Sequence, residues 1–108
     1  MSRIIYVNGK YSYHNESYTH VEDRGFQFSD GVYEVIAVWN SKPVDFVAHI
    51  DRLYRSMSEL SFISQPCSQL INIALKEIIR LNKIKYGTIY IQVNRGIGRR
   101  NHLFSNNL

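Results

Sequence analysis

The spacing of apolar and polar residues changes period several times along the chain, and each change marks an element. Ile4 to Val7 is a short β-branched run, followed after Asn8-Gly9 by a second run from Lys10 to Tyr13. Asn-Gly between two such runs is the strongest short hairpin signal, since both residues tolerate positive φ. Asn15 to Ser29 is polar and has no period, so it reads as loop with a short strand near Tyr18 to Val21. Gly31 to Asn40 reads as a strand. Val35, Ala37 and Trp39 fall on one face and Val32, Ile36 and Val38 on the other, which predicts a strand covered on both sides. Ser41-Lys42 reads as a turn and Pro43 to Phe46 as a short returning strand.

The period then lengthens. From Val47 to Phe62, Ile50, Leu53, Tyr54, Met57 and Leu60 recur at helical spacing, with Asp45 placed as N-cap. Ser68 to Asn82 predicts a second helix, with Leu70, Ile73, Ala74, Ile78 and Leu81 inward and Asn72, Lys76 and Arg80 outward. Tyr86 to Asn94 returns to period two, Ile89, Ile91 and Val93 alternating with Tyr90, Gln92 and Asn94. The order implies an α+β fold, a largely antiparallel sheet with two helices packed on one face.

Composition narrows this picture. The 108 residues make one domain, and a hydrophobic share of 44% with a charged share of 20% is that of a soluble globular chain. Eight tyrosines and five phenylalanines suggest a sheet with aromatic surface left over for a partner. A net charge of +4 admits an anionic partner, but the basic residues are scattered. A solvated basic surface is the first reading, small anions the second, and nucleic acid a distant third. With Cys67 the single cysteine, no internal disulfide can form, and a cytoplasmic location is expected. Met1 to Tyr6 lacks the apolar stretch of a signal peptide, and no run is long enough to span a membrane.

Several residues could carry chemistry. Arg52 lies off the apolar stripe of its helix, so the core does not need it; a guanidinium there suits paired hydrogen bonds to a phosphate. Read from the residues alone, an exposed helix arginine loosely paired near Asp51 or Glu59 is the simpler account. Tyr33 and Glu34 point to opposite faces of the main strand. Tyr33 alone reads as a core or half-buried strand tyrosine, and Glu34 needs a partner, for which Arg24 is the expectation. Arg100 and His102, two apart in an extended segment, face the same way and together suit a carboxylate; the plain alternative is an exposed basic loop. His14, His20 and His49 lack metal-ligand spacing and read as surface or satisfied polar residues. Gly96-Ile97-Gly98 is not followed by the lysine and helix of a phosphate loop and reads as a turn.

Three blocks in order, Glu22-Asp23-Arg24-Gly25-Phe26-Gln27-Phe28-Ser29-Asp30-Gly31-Val32-Tyr33-Glu34-Val35, His49-Ile50-Asp51-Arg52-Leu53 and Arg100-Asn101-His102, carry a family likeness. Together they resemble the N-terminal domain of fold-type IV pyridoxal-phosphate aminotransferases, over Tyr6 to Phe104. The third block resembles the D-amino acid branch rather than the branched-chain one. Ser29 stands where glycine often precedes Asp-Gly, and Arg99 where the D-alanine enzymes often have proline.

The resemblance implies roles. Arg52 would bind the cofactor phosphate, while Tyr33, Arg100 and His102 would hold the substrate, the last two reaching across a homodimer into the neighbour's site. The reaction would move an amino group from a D-amino acid to a 2-oxo acid. The chain ends at Leu108, and Lys10, Lys42, Lys76, Lys83 and Lys85 match no family position for the Schiff-base lysine. The cofactor domain is therefore expected outside this chain, with a separately encoded polypeptide as one place for it. Residues 1–108 alone are expected neither to bind pyridoxal phosphate nor to transaminate. Branched-chain aminotransferase or aminodeoxychorismate lyase activity is the alternative within the family. A non-enzymatic remnant that self-associates through its tyrosine-rich face is the alternative outside it.

Overall fold

The computed structural model describes residues 3–97. The first hairpin pairs β1 (Ile4–Val7) with β2 (Lys10–Tyr13), with Val7 opposite Lys10. Asn8 and Gly9 both take positive φ, 49° and 87°, the requirement of a two-residue turn that follows the strand twist. A short 3-10 turn, His14–Glu16, follows. Tyr18 to Val21 forms no strand, contrary to the expectation. The region read as loop instead contains a short helix, α1 (Arg24–Phe28), capped by the Asp23 carboxylate on the Gly25 amide at 2.8 Å.

β3 (Gly31–Trp39) is the centre of a three-stranded antiparallel sheet in the order β4-β3-β5. β5 (Tyr86–Asn94) pairs along its whole length, from Gly31 opposite Asn94 to Trp39 opposite Tyr86. β4 (Lys42–Pro43) meets only Val38 and Trp39. The turn before it is Asn40-Ser41, one residue earlier than expected, with φ of 51° and 62°. The strand stops at Pro43 because Phe46 already belongs to α2.

Helices α2 (Phe46–Glu59) and α3 (Ser68–Leu81) both lie on one face of this sheet. Beneath α2, Val32 packs with Ile50, Leu53, Met57 and Phe62; beneath α3, Ile36, Val38 and Ile89 pack with Leu75 and Ile79. The α+β architecture is as expected. Coverage of β3 on both faces is not: its residues alternate strictly between buried and exposed, and Tyr33, Val35, Ala37 and Trp39 are open. With both helices on one side, nothing among the described residues covers the other.

The inner face of α3 also differs from the expectation. Leu75 and Ile79 are buried, whereas Leu70 and Ile73 are exposed. Apolar residues occur around most of this helix, so its periodicity admits more than one inward face and packing chooses. Asp45 does occupy the N-cap position of α2, but at φ 53° and with no capping bond from its side chain. Asn82, at the end of α3, fixes the first hairpin: it accepts from the Ile4 amide and donates to the Ile4 carbonyl, both at 2.8 Å. No helix among the described residues is long and apolar enough to cross a membrane.

Candidate functional site

Glu34 occupies the boundary between the two apolar clusters, pointing inward from β3 beneath α2 and only 4% exposed. A carboxylate in that position requires several donors. α2 supplies them from successive turns, because His49 and Arg52 are three residues apart and share a face. Arg52 Nε donates to Glu34 Oε2 and Arg52 Nη2 to Oε1, both at 2.8 Å. His49 Nδ1 lies 2.7 Å from Oε1. An ionised carboxylate only accepts, so Nδ1 carries the ring proton in that contact.

The bond from Arg52 holds the Glu34 carboxyl below its ordinary pKa, against the opposing effect of burial and with help from the His49 bond. The same pairing pushes Arg52 further up. The expectation that Arg24 partners Glu34 is therefore overturned: Arg24 donates to Asp30, just before β3, at 2.8 Å. Arg52 is likewise not the loosely paired surface arginine of the simpler account, nor is its partner Asp51 or Glu59. His49 is a satisfied polar residue, as expected.

Arg52 keeps most of its side chain in solvent, 56% exposed, with two of its five N–H groups held by Glu34. The remaining edge of the guanidinium is fixed in direction and open to an anion. That donor set fits a phosphate, and the rotamer freedom an arginine would lose on binding is already restricted.

Tyr33 stands on the opposite, open face, 63% exposed, and stacks on Tyr90 of β5 at 5.6 Å between ring centres. The core or half-buried tyrosine expected from the residues alone is not found. Strand alternation thus separates Tyr33 from the Glu34–Arg52 pair instead of bringing them together. β4 reaches only Val38 and Trp39, so beside Tyr33 and Glu34 the β3 edge away from β5 has no ladder partner among the described residues. Arg100 and His102 lie outside the described residues.

Sequence reasoning missed two contributors. The joint role of His49 and Arg52 on Glu34 was legible in their three-residue spacing, had Glu34 been placed beneath α2. Tyr90 could be found only from the register of β3 against β5, which spacing does not give. No group of three or more metal-ligating side chains occurs among the described residues.

Comparison with known proteins agrees with this fold. The family described as amino-transferase class IV matches residues 31–107. A D-alanine aminotransferase from Staphylococcus haemolyticus is 37% identical over 101 residues, covering 93% of this chain and 36% of that protein. Among solved structures, 4-amino-4-deoxychorismate lyase from Pseudomonas aeruginosa superposes with a TM-score of 0.67 at 28% identity, over 81% of this chain and 31% of that one. The branched-chain amino acid aminotransferase of Escherichia coli gives a TM-score of 0.79 at 21% identity, a likeness of fold, over 99% of this chain and 35% of that one. The chain spans about a third of the length of the curated relatives it matches. With a family match over most of its length and relatives 37% identical across nearly all of it, the chain belongs to the class IV aminotransferases.

Proposed function

We propose that this chain is the N-terminal part of a D-amino acid aminotransferase, moving an amino group between a D-amino acid and a 2-oxo acid. The observation that carries the reading is the Arg52 guanidinium, locked on one side by Glu34 and open on the other, within a chain 37% identical to D-alanine aminotransferases. Pyridoxal phosphate, when bound, supplies the electron sink on which such chemistry depends. Arg52 grips its phosphate with the N–H groups that Glu34 leaves over. Tyr33 offers its hydroxyl to the substrate at the open β3 edge, while Arg100 and His102 hold the substrate carboxylate across a homodimer. The exposed aromatic face around Tyr33 and Tyr90 supports a role in contact with substrate or subunit.

Lys10, Lys42, Lys76, Lys83 and Lys85 do not match the family's cofactor lysine, so that amine comes from a large domain outside these residues. Residues 1–108 alone bind no pyridoxal phosphate and do not transaminate. The test joins this segment to a family large domain and titrates pyridoxal phosphate by absorbance. Arg52→Ala should weaken cofactor binding at least about tenfold, the scale of a lost charge-assisted pair. Arg100→Ala should raise the KM for D-alanine with 2-oxoglutarate as acceptor. Unchanged cofactor affinity in the first variant, or turnover by residues 1–108 alone, overturns the reading. The lyase resemblance at 28% identity gives a second reading, tested by offering aminodeoxychorismate in place of the amino acid.

A further inference from the structure

The block from Asp23 to Gly31 has a physical task separate from marking the family. Residues 94 to 97, where the chain leaves β5, are each fastened to it. Asn94 Nδ2 donates to Asp23 Oδ1 at 2.9 Å. The Arg95 amide donates to the Asp30 carbonyl at 2.9 Å, and Arg95 Nε reaches both Asp30 oxygens at 3.0 and 2.9 Å. The Gly96 carbonyl accepts from the Arg24 amide at 2.8 Å, and Ile97 bridges to Asp23. Asp30 is shared between Arg24 and Arg95, whose side chains are each 4% exposed. Arg95 Nη2 also donates to the Leu60 carbonyl at 2.6 Å.

The glycines complete the fit. A methyl group on Gly25 would lie 2.0 Å from Cγ of Asn94, and one on Gly31 would lie 2.3 Å from its Oδ1. Neither glycine has a positive φ in this structure, so what each position requires is space for Asn94, not backbone freedom. Asn94 Oδ1 in turn accepts from Gln92, and Gln92 Oε1 accepts from the hydroxyl of Tyr90, the ring stacked on Tyr33. The socket therefore joins the β5 exit to the open face on which the candidate substrate residue stands.

We propose that Asp23, Gly25, Asp30 and Gly31 form a socket that seats Asn94 and Arg95 and acts as a positioning device for substrate. It fixes the placement of residues 94 to 97 and of the Tyr90–Tyr33 pair. The inference rests on the reading that Tyr33, Arg100 and His102 hold the substrate, and it adds that specificity for the carboxylate is set by residues some distance away in sequence.

Gly25→Ala is the test, made in the catalytically competent protein that contains this segment. The atoms nearest its added methyl all belong to Asn94, and its helical backbone accepts alanine. The KM for D-alanine should rise at least about tenfold, as a misplacement of about an ångström predicts. Pyridoxal phosphate affinity, which depends on Arg52 and Glu34, should stay within about twofold, a split that a general loss of folding would not produce. Asn94→Ala removes the clash, so the double variant Gly25→Ala/Asn94→Ala should show a smaller KM increase than Gly25→Ala alone. Amide hydrogen exchange provides a readout without turnover: the Arg95 amide should exchange faster in Gly25→Ala, with Ile36 and Ile89 unchanged. Should Gly25→Ala fail to fold, Asn94→Ala alone still tests the socket, with a smaller KM increase expected. Unchanged KM in a folded Gly25→Ala or Asn94→Ala, where Arg100→Ala does raise it, overturns the socket and spares the functional reading. Unchanged KM in Arg100→Ala overturns the functional reading, and with it the inference.

Discussion

The two faces of the β3–β5 sheet are built from alternate residues of the same strands, yet they share little. The inner face carries Val32, Ile36, Val38 and Ile89 under two helices, and its one charged residue, Glu34, is held by three hydrogen bonds. The outer face carries Tyr33, Val35, Trp39, Tyr86 and Tyr90, all exposed, with Tyr33 stacked on Tyr90 and Trp39 edge-on to Tyr86. Stability resides on the inner side, where apolar area is removed from water. The outer side is surface available for contact. Glu34 belongs to both descriptions, because the residue that the core must satisfy is also the one that aims Arg52 outward.

The contrast is broken most directly by truncating one residue on each face. Leu53→Ala empties a fully buried position at the centre of the α2 cluster and should cost about 2–5 kcal/mol. Val35→Ala, at a position 47% exposed, should stay within about 0.5 kcal/mol. Urea denaturation followed by far-ultraviolet circular dichroism measures both. Comparable losses would mean that the outer face is covered and that the distinction is false.

Glu34→Gln sharpens it next. The amide keeps the shape but replaces charge-assisted bonds with weaker ones and leaves donors imperfectly matched, a loss of about 1–3 kcal/mol. Asp51→Asn, one helix position away from Arg52 and exposed, should change almost nothing. The pH dependence follows from the same pair. Because Arg52 lowers the Glu34 pKa from its ordinary 4.5, the group stabilises the fold above that value. This contribution is lost as pH falls through the lower, folded value. Acid titration of stability should therefore steepen below about pH 4.5 in the parent chain and flatten in Glu34→Gln. A slope identical in the two proteins would show that Arg52 and Glu34 do not interact in solution.

The legible part of this molecule was its local order. The Asn8-Gly9 turn, the period-two run from Val32, the α2 stripe of Ile50, Leu53 and Met57, and the family blocks all follow from residues near one another in sequence. What sequence could not give was pairing at a distance. Whether Glu34 meets Arg24 or Arg52 depends on which helix crosses β3, and the preference for Arg24 rested on a nearby number. Both faces of β3 are apolar enough to be covered, so composition could not show that one would stay open. α3 presents apolar residues in too many directions for periodicity to select Leu75 and Ile79. The loop reading of residues 24–28 failed because α1 is a single capped turn with no amphipathic repeat to announce it. At the candidate site, the position of Arg52 off the apolar stripe of α2 was legible, while its pairing with Glu34, on the face opposite Tyr33, emerged only from where α2 packs on the sheet.

The smallest expected effect lies within the outer face itself. Tyr33 and Tyr90 are stacked at 5.6 Å with 15° between planes, whereas Trp39 and Tyr86 meet edge-on at 4.8 Å and 65°. Aromatic pairs contribute about 0.5–1.5 kcal/mol beyond area burial, and an exposed pair belongs at the lower end because little water is displaced. A double-mutant cycle on Tyr33 and Tyr90, each changed to Ala, should therefore give a coupling near about 0.5 kcal/mol. The Trp39–Tyr86 cycle should be similar. If instead the Tyr33 coupling exceeded about 2 kcal/mol while the Trp39 coupling did not, the stack would be part of the stabilising structure. Tyr33 would then be committed to Tyr90, and its hydroxyl would lose the freedom that contact with a substrate requires.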